Sequence, residues 1–219
     1  MSMAKGRRQT ATQDPLGRYY TPQPLARAIL DRFHFRGVRV VLEPHGGDGR
    51  LLGALHELDR ELSLGLDLYA LDLDPDAPVL QHETTAFQAA HGDFLAAGCL
   101  PYTWPNPDLI YMNPPYSVRL PAKGKAKAKS VEVGTEHVLR ALGLARYVIA
   151  IMPSGFATGS ERYERLWSKG LLERELQIVG RPSFTGTGTS SSDYTAFYFD
   201  GQRDPAKPVE KGWLRGWRS

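Results

Sequence analysis

Apolar residues recur at helical spacing in QPLARAILDRF, directly after Thr21 and Pro22, and this pattern predicts a first helix over 23–34. The run VRVVLEP at 38–44 is β-branched and apolar, GGDG follows it, and LLGALHEL returns to helical spacing. Strand, glycine turn and helix open a βαβ unit. A second strand is predicted in LGLDLYALDLD (64–74), a third in TAFQAAHGDF (85–94) and a fourth in DLIYMN (108–113). EHVLRALGLA reads as a helix, RYVIAIMP as a fifth strand, and SERYERLWSKGLL as a helix. RELQIVGR and DYTAFYFD close the pattern as two strands joined by the polar loop FTGTGTSSS.

Alternating strands and helices imply an α/β fold of the Rossmann-like kind, a mostly parallel twisted sheet with helices on both faces. The last two strands lack an intervening helix, which predicts an antiparallel edge strand. The expected organisation is a disordered basic N-terminus (1–17), one domain over 18–200 and a C-terminal tail (201–219).

Composition narrows the class. A chain of 219 residues is long enough for one well-buried core, and a single cysteine, Cys99, excludes an internal disulfide framework. No apolar run approaches a membrane span and the start MSMAKGRRQT lacks the apolar centre of a signal peptide, so a soluble cytoplasmic protein is expected. Lys and Arg number 27 against 24 acids, and the excess collects in KGRR, KGKAKAK (123–129) and KGWLRGWR. The middle stretch is expected as a mobile basic loop over 120–133.

Open α/β sheets bind ligands beyond the carboxyl ends of their strands, and the candidate chemistry gathers there. Gly47 and Gly49, after the first strand, let backbone approach a ligand closely, although a lone glycine loop also fits an ordinary strand-to-helix turn. It is neither a P-loop nor a strict GxGxxG fingerprint. Asp72 ends the second strand where nucleoside-binding folds hold ribose hydroxyls; Asp74 shares its face and is the alternative. Asp93 ends the third strand, placed to accept from an adenine amino group, with Phe94 beside it as a ring face or a core residue. The six histidines show no metal-ligand spacing, so no metal is expected. No GxSxG nucleophile elbow is present.

The fourth strand ends in Asn113-Pro114-Pro115-Tyr116. Proline lacks an N–H and stops a strand, which leaves carbonyl oxygens without ladder partners. Pro115 also restricts Pro114 to extended geometry.

The ordered set GRYYTP (17–22), VLEPHGGDG (41–49), LDLD (71–74), HGDF (91–94), NPPY (113–116) and FTGTGTS (184–190) resembles the S-adenosylmethionine-dependent DNA adenine-N6 methyltransferases. The order is that of their gamma group, and the details are most similar to the modification subunits of restriction systems. The resemblance covers roughly residues 17–200 and implies the class I methyltransferase fold. It implies cofactor contacts from Tyr20, Thr21, Pro22, Glu43, Gly47, Gly49, Asp72, Asp93 and Phe94. His45, Gly46 and Asp48 depart from the small or neutral residues more common in that loop.

The same resemblance implies that the Asn113 side-chain oxygen and the Pro114 carbonyl accept the two N–H bonds of a target amino group, and that Tyr116 stacks on the base. Phe184 would cover the other face, and Lys123, Lys125, Lys127 and Lys129 would meet phosphates. The implied reaction is methyl transfer to adenine N6 in DNA after base flipping. NPPY alone does not identify the substrate: RNA adenine, a protein glutamine amide, and a noncatalytic cofactor-binding subunit stay open. GRYYTP, FTGTGTS and the basic loop favour DNA. No separate target-recognition domain is expected after residue 200, so the expectation is either relaxed or very short sequence preference or a partner, a specificity subunit or a second copy.

Overall fold

Along the central strands, successive side chains enter two different cores, which is why those segments are apolar throughout rather than alternating with polar residues. A computed structural model of the chain describes residues 20–81, 84–120, 129–183 and 192–218. The order is α1 (Gln23–Leu30), β1 (Val40–Glu43), α2 (Arg50–Leu62), β2 (Asp67–Asp72), α3 (Pro78–Gln81), β3 (Gln88–His91), β4 (Leu109–Met112), β5 (Ser117–Leu120) and β6 (Lys129–Glu132). It continues with α4 (Gly134–Leu142), β7 (Tyr147–Pro153), α5 (Ser160–Arg165), β8 (Leu172–Ile178), β9 (Tyr194–Asp200) and β10 (Glu210–Leu214).

Eight strands form one sheet in the order β10-β8-β9-β7-β4-β1-β2-β3. Every pair is parallel except those of β9, which runs antiparallel to both β7 and β8 towards one edge. Leu109 and Tyr111 of β4, Ile149 and Ile151 of β7, and Ala196 and Tyr198 of β9 face α1 and α2. Ile110, Met112, Val148, Ala150, Phe197 and Phe199, the residues between and beside them, face α4 and Trp167. Two buried phenols tie the sheet to α1: Tyr111 donates to the Ala26 carbonyl (3.1 Å) and Tyr198 to that of Ile29 (2.8 Å). These bonds satisfy hydroxyls that would otherwise be costly to bury.

The chain moves from β1 to β2 and β3 on one side, then returns to place β4 on the other side of β1. That reversal opens a crevice at the carboxyl ends of β1 and β4.

Two expectations change. The stretch 120–133 is in part a hairpin, with β5 and β6 paired from Ser117↔Glu132 to Leu120↔Lys129. Residues 201–219 are not merely a tail, because β10 adds in parallel outside β8. Its sequence EKGWL carries little apolar signal, as an edge strand held mainly by backbone bonds permits. Beyond it Trp217 is 8 % exposed within the α1-side core and donates Nε1–H to the Val179 carbonyl (3.0 Å). The expected disordered residues 1–17 lie outside the described residues.

The docked C-terminal segment is testable by Trp217→Ala. Losing this buried ring is expected to cost about 3 kcal/mol, read as a lower urea midpoint at unchanged slope. An unaltered midpoint would mean that the segment does not pack.

Candidate active site

The loop after β1 is shaped by lack of room. A Cβ on Gly46 would stand 2.7 Å from Val79 Cγ1, and one on Gly47 would stand 2.8 Å from the Tyr20 ring. Gly47 (φ +53°) and Gly49 (φ +79°) also occupy the left-handed region that glycine adopts without strain. Backbone bonds hold the loop against its neighbours: Gly46 N–H donates to the Leu71 carbonyl (2.9 Å), and Val79 N–H to that of Gly47 (3.0 Å).

Gly49 caps α2 without a side chain to receive the first free amides. Glu43, the last residue of β1, fills that role from below, since its carboxyl accepts the Leu52 backbone N–H. Burial pushes the Glu43 carboxyl well above the usual range, the Leu52 bond opposing and the nearby Asp48 and Asp72 adding to the shift. Glu43 therefore supports the loop from beneath rather than lining the cavity above it.

That cavity, of ≈ 250 Å³, is lined by Tyr20, Gly47, Asp72, Asp93, Phe94, Asn113 and Pro115 among others. The structure thus gathers seven of the expected residues from five segments around one space. Of the two candidate acids it is Asp72 that lines it. One Asp72 oxygen accepts Gly47 N–H (2.7 Å) and the other Asp74 N–H (2.8 Å), while Asp74 closes a turn on Asp76 N–H (3.1 Å). Phe94 is 2 % exposed and belongs to the α4-side core, and it also borders the cavity. Leu73 and Leu95, exposed at the rim, add apolar surface.

Asn113 is held at both ends of its amide. Its Nδ2 donates to Thr21 Oγ1 (3.0 Å), and its Oδ1 accepts the Tyr116 hydroxyl (2.5 Å). Tyr116 also lies beside Tyr194, with ring centroids 5.8 Å apart and a tilt of 41°. Its carbonyl accepts the N–H groups of Val133 and Gly134 (3.1 and 3.3 Å), fastening NPPY to the start of α4. Thr21, Pro22, Gly49, Pro114 and Tyr116 do not line the cavity. Phe184, Lys123, Lys125 and Lys127 lie outside the described residues, and Lys129 is described by its backbone alone, in β6.

Sequence reasoning missed His137. It projects from α4 to the cavity, where its Nδ1 meets His45 Nε2 at 2.8 Å and its ring stacks on Phe94 (6.1 Å, 9°). Burial lowers the His137 imidazole to about 4, with Asp93 and Glu136 pulling weakly upward. Enclosure lowers His45 as well, and the neighbouring His137 adds to the shift. A hydrogen bond between ring nitrogens needs one lone pair and one N–H, so the pair cannot be doubly protonated. Position 137 follows an apolar helical face, but its partner lies 92 residues away, and no local pattern signals the pair.

Among the described residues no cluster of three or more His, Cys, Asp or Glu is arranged to hold a metal, and no helix is long and apolar enough to cross a membrane.

No family model matches the chain. Solved structures do. A type I restriction-modification methyltransferase subunit from Streptococcus thermophilus superposes with TM-score 0.65 at 17% identity, over 87% of this chain and 46% of its own. A protein assigned as a class I S-adenosylmethionine-dependent methyltransferase from Listeria monocytogenes gives 0.68 at 12% identity, over 95% and 69%. A protein from Pyrococcus horikoshii assigned as an RNA methyltransferase gives 0.58 at 18%, over 90% and 92%. The chain spans less than half of the Streptococcus protein. The fold is the Rossmann-like class I methyltransferase fold, with its mostly parallel sheet and antiparallel strand towards one edge.

The histidine pair predicts an acid-sensitive fold. The unfolded chain protonates these imidazoles near the ordinary value of 6.5, whereas folded His137 resists to about 4. The unfolded state binds more protons in that window, so stability falls as pH drops from 6.5 towards 4. Urea unfolding across this range should show His137→Gln losing less stability than the wild type, by on the order of 3 kcal/mol at pH 4. Identical pH dependence would exclude a neutral buried pair.

Proposed function

We propose that the chain is an S-adenosylmethionine-dependent methyltransferase acting on the exocyclic N6 amino group of adenine in DNA. The observation that carries this reading is that Asn113 and Pro115 of NPPY open on the same cavity as the glycine loop, Asp72 and Asp93. Nucleotide-type ligands in such folds lie across this crevice.

The residues present fit the cofactor. Gly47 lines the cavity in a left-handed backbone conformation, Asp72 and Asp93 offer carboxylate acceptors, and Phe94, Leu73 and Leu95 supply an apolar enclosure. When bound, S-adenosylmethionine supplies an electrophilic methyl group on a sulfonium. Tyr20, Gly47, Asp72, Asp93 and Phe94 are the residues that would hold it.

The remaining chemistry belongs to NPPY. An exocyclic amino nitrogen is a weak nucleophile because its lone pair is delocalised into the ring. Two acceptors aimed at its N–H bonds favour a pyramidal nitrogen with a localised lone pair. Asn113 Oδ1 and the Pro114 carbonyl are the proposed acceptors. They also stabilise the positive charge that develops on nitrogen, a preorganised effect of a few kcal/mol per group. No general base with a shifted pKa is needed. A paired base cannot reach such a cavity, so the target nucleotide flips out at a cost of a few kcal/mol, offset by stacking on Tyr116. Val118 of β5 lines the cavity, and the lysine-rich stretch 123–129 follows β5 directly in the chain. That adjacency favours a polyanionic substrate over a protein glutamine.

Incubation with cofactor labelled in its methyl group, offered DNA, RNA and protein in parallel, should give incorporation into DNA adenine. Asn113→Ala should bind the cofactor as the wild type does and lose transfer by on the order of 100-fold or more. Incorporation only into RNA or protein would reassign the substrate. Cofactor binding without transfer to any acceptor would make the chain a binding subunit, and a fully active Asn113→Ala would remove NPPY from the chemistry.

A further inference from the structure

We propose that Thr21 is a positioning residue for Asn113, holding the plane of its amide so that the side-chain oxygen is presented to the reacting amine. This inference rests on the methyltransferase reading above. It assigns Thr21 a task different from the cofactor contact that the sequence resemblance implies.

Thr21 is 1 % exposed and does not line the cavity, whereas its neighbour Tyr20 does. Its backbone is fixed because Pro22 caps α1 and its carbonyl receives Ala26 N–H (3.0 Å). The helix is itself anchored to the sheet through the Tyr111 and Tyr198 hydroxyls. The Thr21 hydroxyl therefore stands at a defined place behind β4, and there it accepts from Asn113 Nδ2 at 3.0 Å.

An asparagine amide rotates about a broad, roughly two-fold torsion, so packing alone does not define its plane. The two ends of the group are nearly the same size and opposite in function. The oxygen attracts an N–H, while the NH2 repels it. Thr21 grips the nitrogen end and Tyr116 the oxygen end, which leaves the amide no free rotation. Donation from Nδ2 also polarises the amide, drawing electron density to Oδ1 and making it a better acceptor. Removing the Thr21 hydroxyl takes away the acceptor at the Nδ2 end and weakens Oδ1 as an acceptor. The substituted side chain does not itself line the cavity.

The test compares Thr21→Val, which keeps the shape and loses the hydroxyl, with Thr21→Ser, which keeps the hydroxyl. Thr21→Val should lower kcat by about 10- to 100-fold, as small misplacements of reacting groups do, while the cofactor Kd stays within about twofold of the wild type. Thr21→Ser should recover most of the lost rate. In NMR spectra, the Asn113 side-chain NH2 resonances should shift in Thr21→Val and stay near their wild-type positions in Thr21→Ser. A raised cofactor Kd at unchanged kcat would overturn the proposal and return Thr21 to the cofactor site. An unchanged kcat and Kd would overturn it as well. Should the wild type transfer no methyl group to any acceptor, the methyltransferase reading fails by itself. The Asn113 resonances then decide alone, and equal shifts in wild type and Thr21→Val overturn the inference.

Discussion

The hydrogen bond from the Gly47 amide to the buried Asp72 carboxylate, at 2.7 Å, joins the loop after β1 to the end of β2. Much of the crevice depends on where that bond places the loop. Gly46 is drawn against Val79 and Gly47 against the Tyr20 ring, at separations that leave no room for a Cβ on either residue. Gly49 then turns into α2, whose free amides meet Glu43 instead of a capping side chain. A buried carboxyl under a glycine loop is a costly arrangement. Its persistence here follows from position: Glu43 is the last residue of β1, directly beneath a helix N-terminus that needs an acceptor.

How legible each part was depends on whether its cause is local. The central strands were readable because both their faces are buried, and the continuous apolar runs in VVLE, LIYM and YVIAIMP leave few alternatives. β10 was not, since an edge strand is held by backbone bonds and its outward face can be polar or, as with Trp213, exposed. The acid at the end of β2 was legible as a position but not as a residue. Two-residue spacing puts Asp72 and Asp74 on one face only if the strand continues. Instead β2 ends at Asp72 and the chain turns at Asp74, so the amides of Gly47 and Asp74 converge on Asp72. Thr21 with Asn113 and His45 with His137 are each 92 residues apart in the chain. Such pairs are created by the crossover of the sheet and have no signature in any window of sequence.

The electrostatics around the cavity are sorted by depth. His45 and His137 are neutral, and Glu43 is pushed towards its neutral form, so the enclosed titratable groups carry little charge at neutral pH. Both carboxyl oxygens of Asp72 accept backbone amides, those of Gly47 and Asp74. On the proposed reading the acceptors nearest the chemistry, an amide oxygen and a peptide carbonyl, are neutral: they stabilise developing positive charge without removing a proton from the amine beforehand.

Tyr116 must meet two demands on that reading, because its hydroxyl is bonded to Asn113 Oδ1 while its ring is wanted as a stacking surface. The two are compatible in physical terms. A carbonyl-type oxygen has two lone pairs, so Oδ1 can keep the phenol on one and take an amine N–H on the other. The hydroxyl bond then fixes the edge of the ring relative to the acceptor, and a base lying on the ring face has its amino group brought beside Oδ1 by the same contact. Tyr194, at 5.8 Å on a tilted plane, limits how far the ring swings. Stacking and hydrogen bonding are thereby coupled through one side chain. This coupling gives a reason for tyrosine at the end of NPPY where phenylalanine would stack equally well.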